Sequence, residues 1–134
     1  MEKFAPTPTI GIELIDNQHA ELVNIINLLI ASNISLTNRV KLLSKLGTRL
    51  TEHFADEVAH MEESGFSFMG THLVEHSLLI ARFNEVYDSA ISGNLTDDQI
   101  FALATDTVSH IEHYDVLYAE YNAAMAKTVS RLSL

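Results

Sequence analysis

Seven residues in this chain carry side chains suited to holding a transition metal, and each stands where helical periodicity asks for an apolar residue: His19, His53, Glu57, His72, His76, His110 and Asp115. His19 sits between Ile15 and Leu22. His53 and Glu57 continue the line of Leu46 and Leu50, and His72 and His76 open the line that leads to Leu79 and Phe83. Asp115 falls between Ile111 and Tyr118, with His110 beside it. Five imidazoles and two carboxylates therefore aim at one core. A buried carboxylate without a partner costs on the order of several kcal/mol, so such groups are paired or bound to metal. The chain has eight Lys and Arg, and none falls beside these positions on a stripe. A metal would supply the missing cation.

The spacings suit chelation. His53/Glu57 and His72/His76 are i,i+4 pairs, which place two ligands on one face a turn apart. His110 and Asp115 are five apart, which a regular helix does not put on one face. Either the aspartate reaches across as a bridge, or a π-type bulge realigns it. Imidazole with carboxylate suits iron, zinc, copper or nickel. Seven ligands are too many for one ion and fit two ions that share the carboxylates.

Four amphipathic helices must position these groups, and the fold class is all-α. The periodicity predicts helices over roughly 13–32, 36–64, 71–92 and 97–128, after an extended arm over about 1–12 that contains Pro6 and Pro8. The inward stripes read Ile15, Leu22, Ile26, Leu29; Leu43, Leu46, Leu50, Phe54, Met61; Leu79, Phe83, Val86, Ala90; and Phe101, Ala104, Val108, Ile111, Tyr118. Gly65 stands at the second C-terminus, and Thr96-Asp97-Asp98-Gln99 has the form of a capping box. Connections this short make each helix antiparallel to the one before, giving an up-down-up-down bundle over 1–134 as a single domain. In that topology the early part of the first and third helices and the late part of the second and fourth share one end. All seven polar residues then occupy one or two adjacent layers.

Composition removes other classes. The 134 residues, 47% of them hydrophobic, suffice for one core. With no cysteine, thiolate sites, disulfides and thiol catalysis are excluded. A net charge of −10 argues against nucleic acid or an anionic membrane as partner. No apolar run is long enough to span a bilayer and no secretory signal opens the chain, so a cytoplasmic location is expected.

These residues resemble the hemerythrin family, in particular its bacterial branch. The matching pieces are Ile15-Asp16-Asn17-Gln18-His19, His53-Phe54-Ala55-Asp56-Glu57 with Met61, His72-Leu73-Val74-Glu75-His76, and His110-Ile111-Glu112-His113-Tyr114-Asp115. The likeness covers almost the whole chain. It implies two non-haem iron ions, one held by His72, His76 and His110 and the other by His19 and His53. Glu57, Asp115 and an oxo or hydroxo group would bridge them. It further implies reversible O2 binding, as a hydroperoxide, at the iron with two histidines, and no catalytic residues.

The chain departs from the family in its O2 pocket, expected to be formed by Asp106, Thr107 and Ile111. Bacterial relatives carry Trp-Leu where Asp106-Thr107 stands, and this chain has no tryptophan. A wetter, more acidic pocket would shorten the life of the O2 adduct and favour an oxygen or redox sensor over a carrier. The last helix is expected to run on through Met125 toward Arg131, placed to couple to a downstream signalling domain or redox partner. The alternatives are a di-iron oxidase or peroxidase and an iron-buffering protein. His60 and His113 do not fit the ligand set and are expected to face solvent. Leu117, Tyr118 and Tyr121 are expected to pack in the core or at the bundle end. Glu52, Asp56, Glu62, Glu63, Glu75 and Glu112 are expected to form a solvated acidic rim.

Overall fold

A computed structural model describes residues 3–31 and 33–132, with side-chain surroundings described through residue 128. Helix α1 spans Glu13–Leu29, α2 Leu36–Ser64, α3 Met69–Ile91, α4 Asp97–His110 and α5 Val116–Leu132. A π turn over Ile111–Asp115 joins α4 to α5, so the two are one continuous fourth helix. Helix α1 packs on α2, α2 on α3 and α3 on α4, and α4 closes back on α1. This is the up-down-up-down bundle, and no strand occurs among the described residues.

Local chemistry sets the helix ends. Ser35 caps α2 by accepting from the Asn38 amide at 3.2 Å. At the other end Gly65 takes the left-handed conformation (φ 69°), which a side chain would resist. The amides of Gly65 and Phe66 then close onto the carbonyls of Glu62 and Met61, and Phe66 packs on Met61. The box at Thr96 forms as the sequence predicts: the Thr96 hydroxyl accepts from the Gln99 amide, and Gln99 Oε1 accepts from the Thr96 amide.

Three expectations change. The first helix ends at Leu29 and the third begins at Met69, while Ser32, the expected end of the first, lies outside the described residues. Phe101 does not belong to the inward stripe: it is 46% exposed and stacks on Phe4 of the arm, ring centroids 6.5 Å apart. The arm runs back along the bundle to reach it, tied to α1 by paired hydrogen bonds between the Phe4 backbone and the Asn27 amide. Leu117 is exposed, whereas Tyr118 is fully buried.

Candidate metal centre

The structure brings all seven predicted residues to one end of the bundle and buries each of them to 5% exposure or less. The π turn does this for the last pair. Its wider turn holds one more residue than an α turn, so His110 and Asp115 share the inner face despite their five-residue spacing.

The donor atoms form two overlapping sets. Glu57, His72, His76, His110 and Asp115 make one, and His19, His53, Glu57 and Asp115 make the other; within each set the ligand atoms lie within 4.8 Å of one another. The two carboxylates belong to both. Asp115 Oδ2 lies 2.8 Å from His19 Nε2 and 3.4 Å from His53 Nε2, while Oδ1 lies 2.9 Å from His72 Nε2 and 3.1 Å from His110 Nε2. Glu57 Oε1 meets Nε2 of His72 at 2.5 Å and of His76 at 3.0 Å, and its Oε2 lies 3.4 Å from His53 Nε2.

The electrostatics show an excess of negative charge. Burial pushes the Asp115 carboxyl up, but the imidazoles of His110, His19, His53 and His72 overrule it and hold the group well below the ordinary carboxylate range. Burial likewise pushes Glu57 up, and the hydrogen bonds from His72 and His76 bring it below its ordinary value. Burial lowers His72, yet Asp115 and Glu57 raise it to about 9. His76 is lowered, chiefly by burial. Two buried carboxylates thus attract positive charge strongly, and among the described residues no Lys or Arg pairs with them.

The donor set fits a metal. Glu57 Oε2, Asp115 Oδ1 and His110 Nε2 are buried and make no well-aligned hydrogen bond, although Oδ1 and His110 Nε2 lie 3.1 Å apart and all three face the centre. Unsatisfied buried polar atoms are rare in folded proteins, and three around one point ask for a cation. The outer sphere is already organised. His53 Nδ1 lies 2.9 Å from Gln18 Oε1 and donates to it, which leaves Nε2 free as a ligand, and Gln18 donates to Asp56 at 2.7 Å. Phe54 stacks on His76 with ring centroids 3.9 Å apart, locking that imidazole from the apolar side.

The three residues expected to form an O2 pocket divide. Thr107 and Ile111 are buried, and the Thr107 hydroxyl donates to the Leu103 carbonyl at 2.8 Å. Asp106 is half-buried and held by Arg82 of α3 at 2.9 Å, on the wall of an open groove that also reaches His110. His113 is exposed as expected, but His60 is not simply solvent-facing: it is half-buried and its Nδ1 bonds to the Tyr118 hydroxyl. Within the acidic rim, Glu75 is half-buried and the others are exposed.

An antiparallel four-helix bundle with histidines and bridging carboxylates in its core defines a class, the helical-bundle metal-binding proteins. The family profile that matches residues 10–121 is that of the hemerythrin HHE cation-binding domain. The chain is similar to a bacteriohemerythrin of Pseudomonas paraeruginosa (strain DSM 24068 / PA7), 30% identical over 113 residues, 82% of this chain and 74% of that one. A bacteriohemerythrin of Pseudomonas aeruginosa (strain LESB58) is 29% identical over the same shares. One of Stenotrophomonas maltophilia (strain R551-3) is 28% identical, over 83% of this chain and 74% of its own. No solved structure matches the chain. The chain belongs to the hemerythrin family, in its bacterial branch. Among the described residues no helix is long and apolar enough to cross a membrane.

Proposed function

We propose that this chain binds O2 reversibly at a carboxylate-bridged pair of non-haem iron ions. One observation carries the reading: two ligand sets share Glu57 and Asp115 but differ in imidazole count, three against two. His72, His76 and His110 would fill one ion's sphere, while His19 and His53 would leave the other open. Iron would supply the electrons and the open coordination position that O2 needs.

The residues around the centre prepare it. Gln18 orients His53 through Nδ1 and Phe54 fixes His76, so the ligands need not reorganise. Leu22 and Leu50, each one turn from a ligand of the two-histidine set, join Phe54 and Ile111 in a continuous apolar cluster. That wall would keep bulk water from the open side; Ile111 belongs to it, and Thr107 is buried one turn before Ile111 on the same helix. The polar hydroxyl of Thr107 favours a short-lived adduct, hence sensing or a redox response over storage. The exposed stretch of α5 over 123–128 suits coupling to a partner.

A second reading, an oxidase or peroxidase, is favoured by the open groove of about 560 Å³ that brings solvent to the edge of His110. One experiment separates them. Protein loaded with iron under anaerobic conditions should hold about two ions per chain. It should develop a charge-transfer band on exposure to O2 and lose it when O2 is withdrawn. One ion per chain, or a preference for zinc, would sink the di-iron reading. Sustained consumption of reductant or peroxide would move the assignment to the enzyme.

A further inference from the structure

Beyond the seven ligands, the same end of the bundle buries another reactive group. Tyr118 is 0% exposed and lies one turn past Asp115. Its hydroxyl bonds to Nδ1 of His60 and lies 2.8 Å from Ser64 Oγ. His60 lies one turn past Glu57, so this pair hangs from the same two helices as the two carboxylates. Phe66 links the pair to the centre, its ring centroid 4.8 Å from Tyr118 and 6.4 Å from His72. On the outer side the half-buried Tyr121 ring lies parallel to Tyr118 at 6.4 Å and donates its hydroxyl to the carbonyls of Ser64 and Gly65.

Packing alone does not call for this arrangement. A phenylalanine would fill the same space, and a buried phenol needs only one hydrogen-bond partner, which Ser64 provides. Burial raises the Tyr118 phenol above its usual range, so it carries its proton at neutral pH. Such a phenol gives up an electron readily only when its proton leaves at the same time. An imidazole nitrogen already in the hydrogen bond is the side chain best suited to take that proton.

We infer that Tyr118 and His60 form a redox-active pair that relays oxidising equivalents between the metal centre and the surface. The inference rests on iron in that centre, as proposed above. Hydrogen peroxide needs two electrons and two protons to become two waters. A half-oxidised centre has one electron left to give, and Tyr118 supplies the other through the Phe66–His72 contact. The phenolic proton passes to His60 Nδ1, leaving a neutral phenoxyl and an imidazolium; the two protons for water come from solvent. A one-electron donor of the enediol class, such as ascorbate, restores the phenol by way of Tyr121, and His60 returns the proton. Tyr114 is the competing phenol, because its ring stacks on His110 at 5.7 Å, but it has no imidazole aligned on its hydroxyl.

The test uses the full chain, with iron content measured on every sample. Half-oxidised, iron-loaded protein is mixed with one equivalent of hydrogen peroxide, freeze-quenched and examined by electron paramagnetic resonance. A phenoxyl signal is expected in wild type and in Tyr114→Phe, and is expected to vanish in Tyr118→Phe. His60→Gln keeps a hydrogen-bond acceptor but cannot take the proton, and should slow the radical's formation about tenfold or more. The same dependence on His60 should hold in metal-free protein oxidised by a ruthenium photo-oxidant, with the phenoxyl followed by transient absorption. A signal that survives Tyr118→Phe, or a rate indifferent to His60→Gln, overturns the inference. Full iron with no phenoxyl overturns it alone, whereas a chain that takes up no iron overturns the proposed function and this inference together.

Discussion

At the end of the bundle that holds the α1–α2 and α3–α4 connections, the core is aliphatic: Leu29, Leu43, Leu46, Val86, Ile100 and Leu103 are all 5% exposed or less. At the opposite end, where α2 turns into α3, the same four helices bury five imidazoles and two carboxylates instead. Burial stabilises the first end directly, by about 25 cal/mol for each Å² of apolar surface removed from water. The second end gains far less from burial, because its polar groups lose hydration that only each other, or a cation, can replace. One end should therefore be ordered without a ligand, and the other should depend more on what it binds.

The sharpest way to break that comparison is Glu57→Ala. Glu57 belongs to both ligand sets, so its loss should abolish iron binding and erase the gap in melting temperature between loaded and metal-free protein. Glu62→Ala, on the exposed side of the same helix, should shift stability by less than about 0.5 kcal/mol and leave iron in place. Equal effects from the two would show that the ligand end is not metal-dependent. Chelation of the wild type should act regionally. Amide exchange should rise around His53–Met61 and through the π turn, while the Leu43–Leu50 segment stays protected.

At the aliphatic end, Leu46→Ala should cost about 2–5 kcal/mol in denaturant unfolding, since the side chain is fully buried. Iron bound per folded chain should not change. A loss of iron from folded Leu46→Ala protein would mean that the two ends are coupled more tightly than their packing indicates. Gly47→Ala sits beside it on α2 and acts by crowding. A Cβ there would meet the Phe83 ring at 2.6 Å, so the ring must move. Phe83 is only partly buried, which places the cost near the lower part of the ~1–3 kcal/mol range for overpacking.

Much of this was legible in the sequence because helices repeat every 3.6 residues. A histidine or carboxylate on an apolar stripe stands out, and His19, His53, Glu57, His72, His76, His110 and Asp115 all did. The five-residue gap between His110 and Asp115 even left a π turn as one of two readings, and the structure contains it. Three of the residues that stand elsewhere than expected share one physical cause, a partner distant in the chain. Phe101 turns to the surface, where its ring stacks on Phe4 of the arm instead of packing in the core. His60 is expected in solvent because it does not fit the ligand set, and its partner Tyr118 lies 58 residues away. Asp106 was placed over the centre by its distance from His110 along the helix, but Arg82 on α3 captures it. One-dimensional periodicity gives the face of a helix and not the neighbour that a polar side chain finds there.

The smallest expected effects concern that last residue and the one after it. The Asp106–Arg82 pair is close to half-exposed on both sides, 44% and 45%, so Asp106→Asn should change stability by under about 1 kcal/mol. With its carboxylate held by Arg82, Asp106 is poorly placed to deliver a proton to bound O2, and the substitution should leave the lifetime of the O2 adduct unaltered. Thr107 differs. It is buried, and its hydroxyl donates to the Leu103 carbonyl of its own helix. Thr107→Val keeps the shape, removes that buried hydroxyl, and should lengthen the adduct's life. Stopped-flow mixing of diferrous protein with O2 follows both variants through the charge-transfer band. If Asp106→Asn slows the decay and Thr107→Val does not, the acidic groove supplies the protons, and water exclusion by the apolar wall is not what limits the adduct.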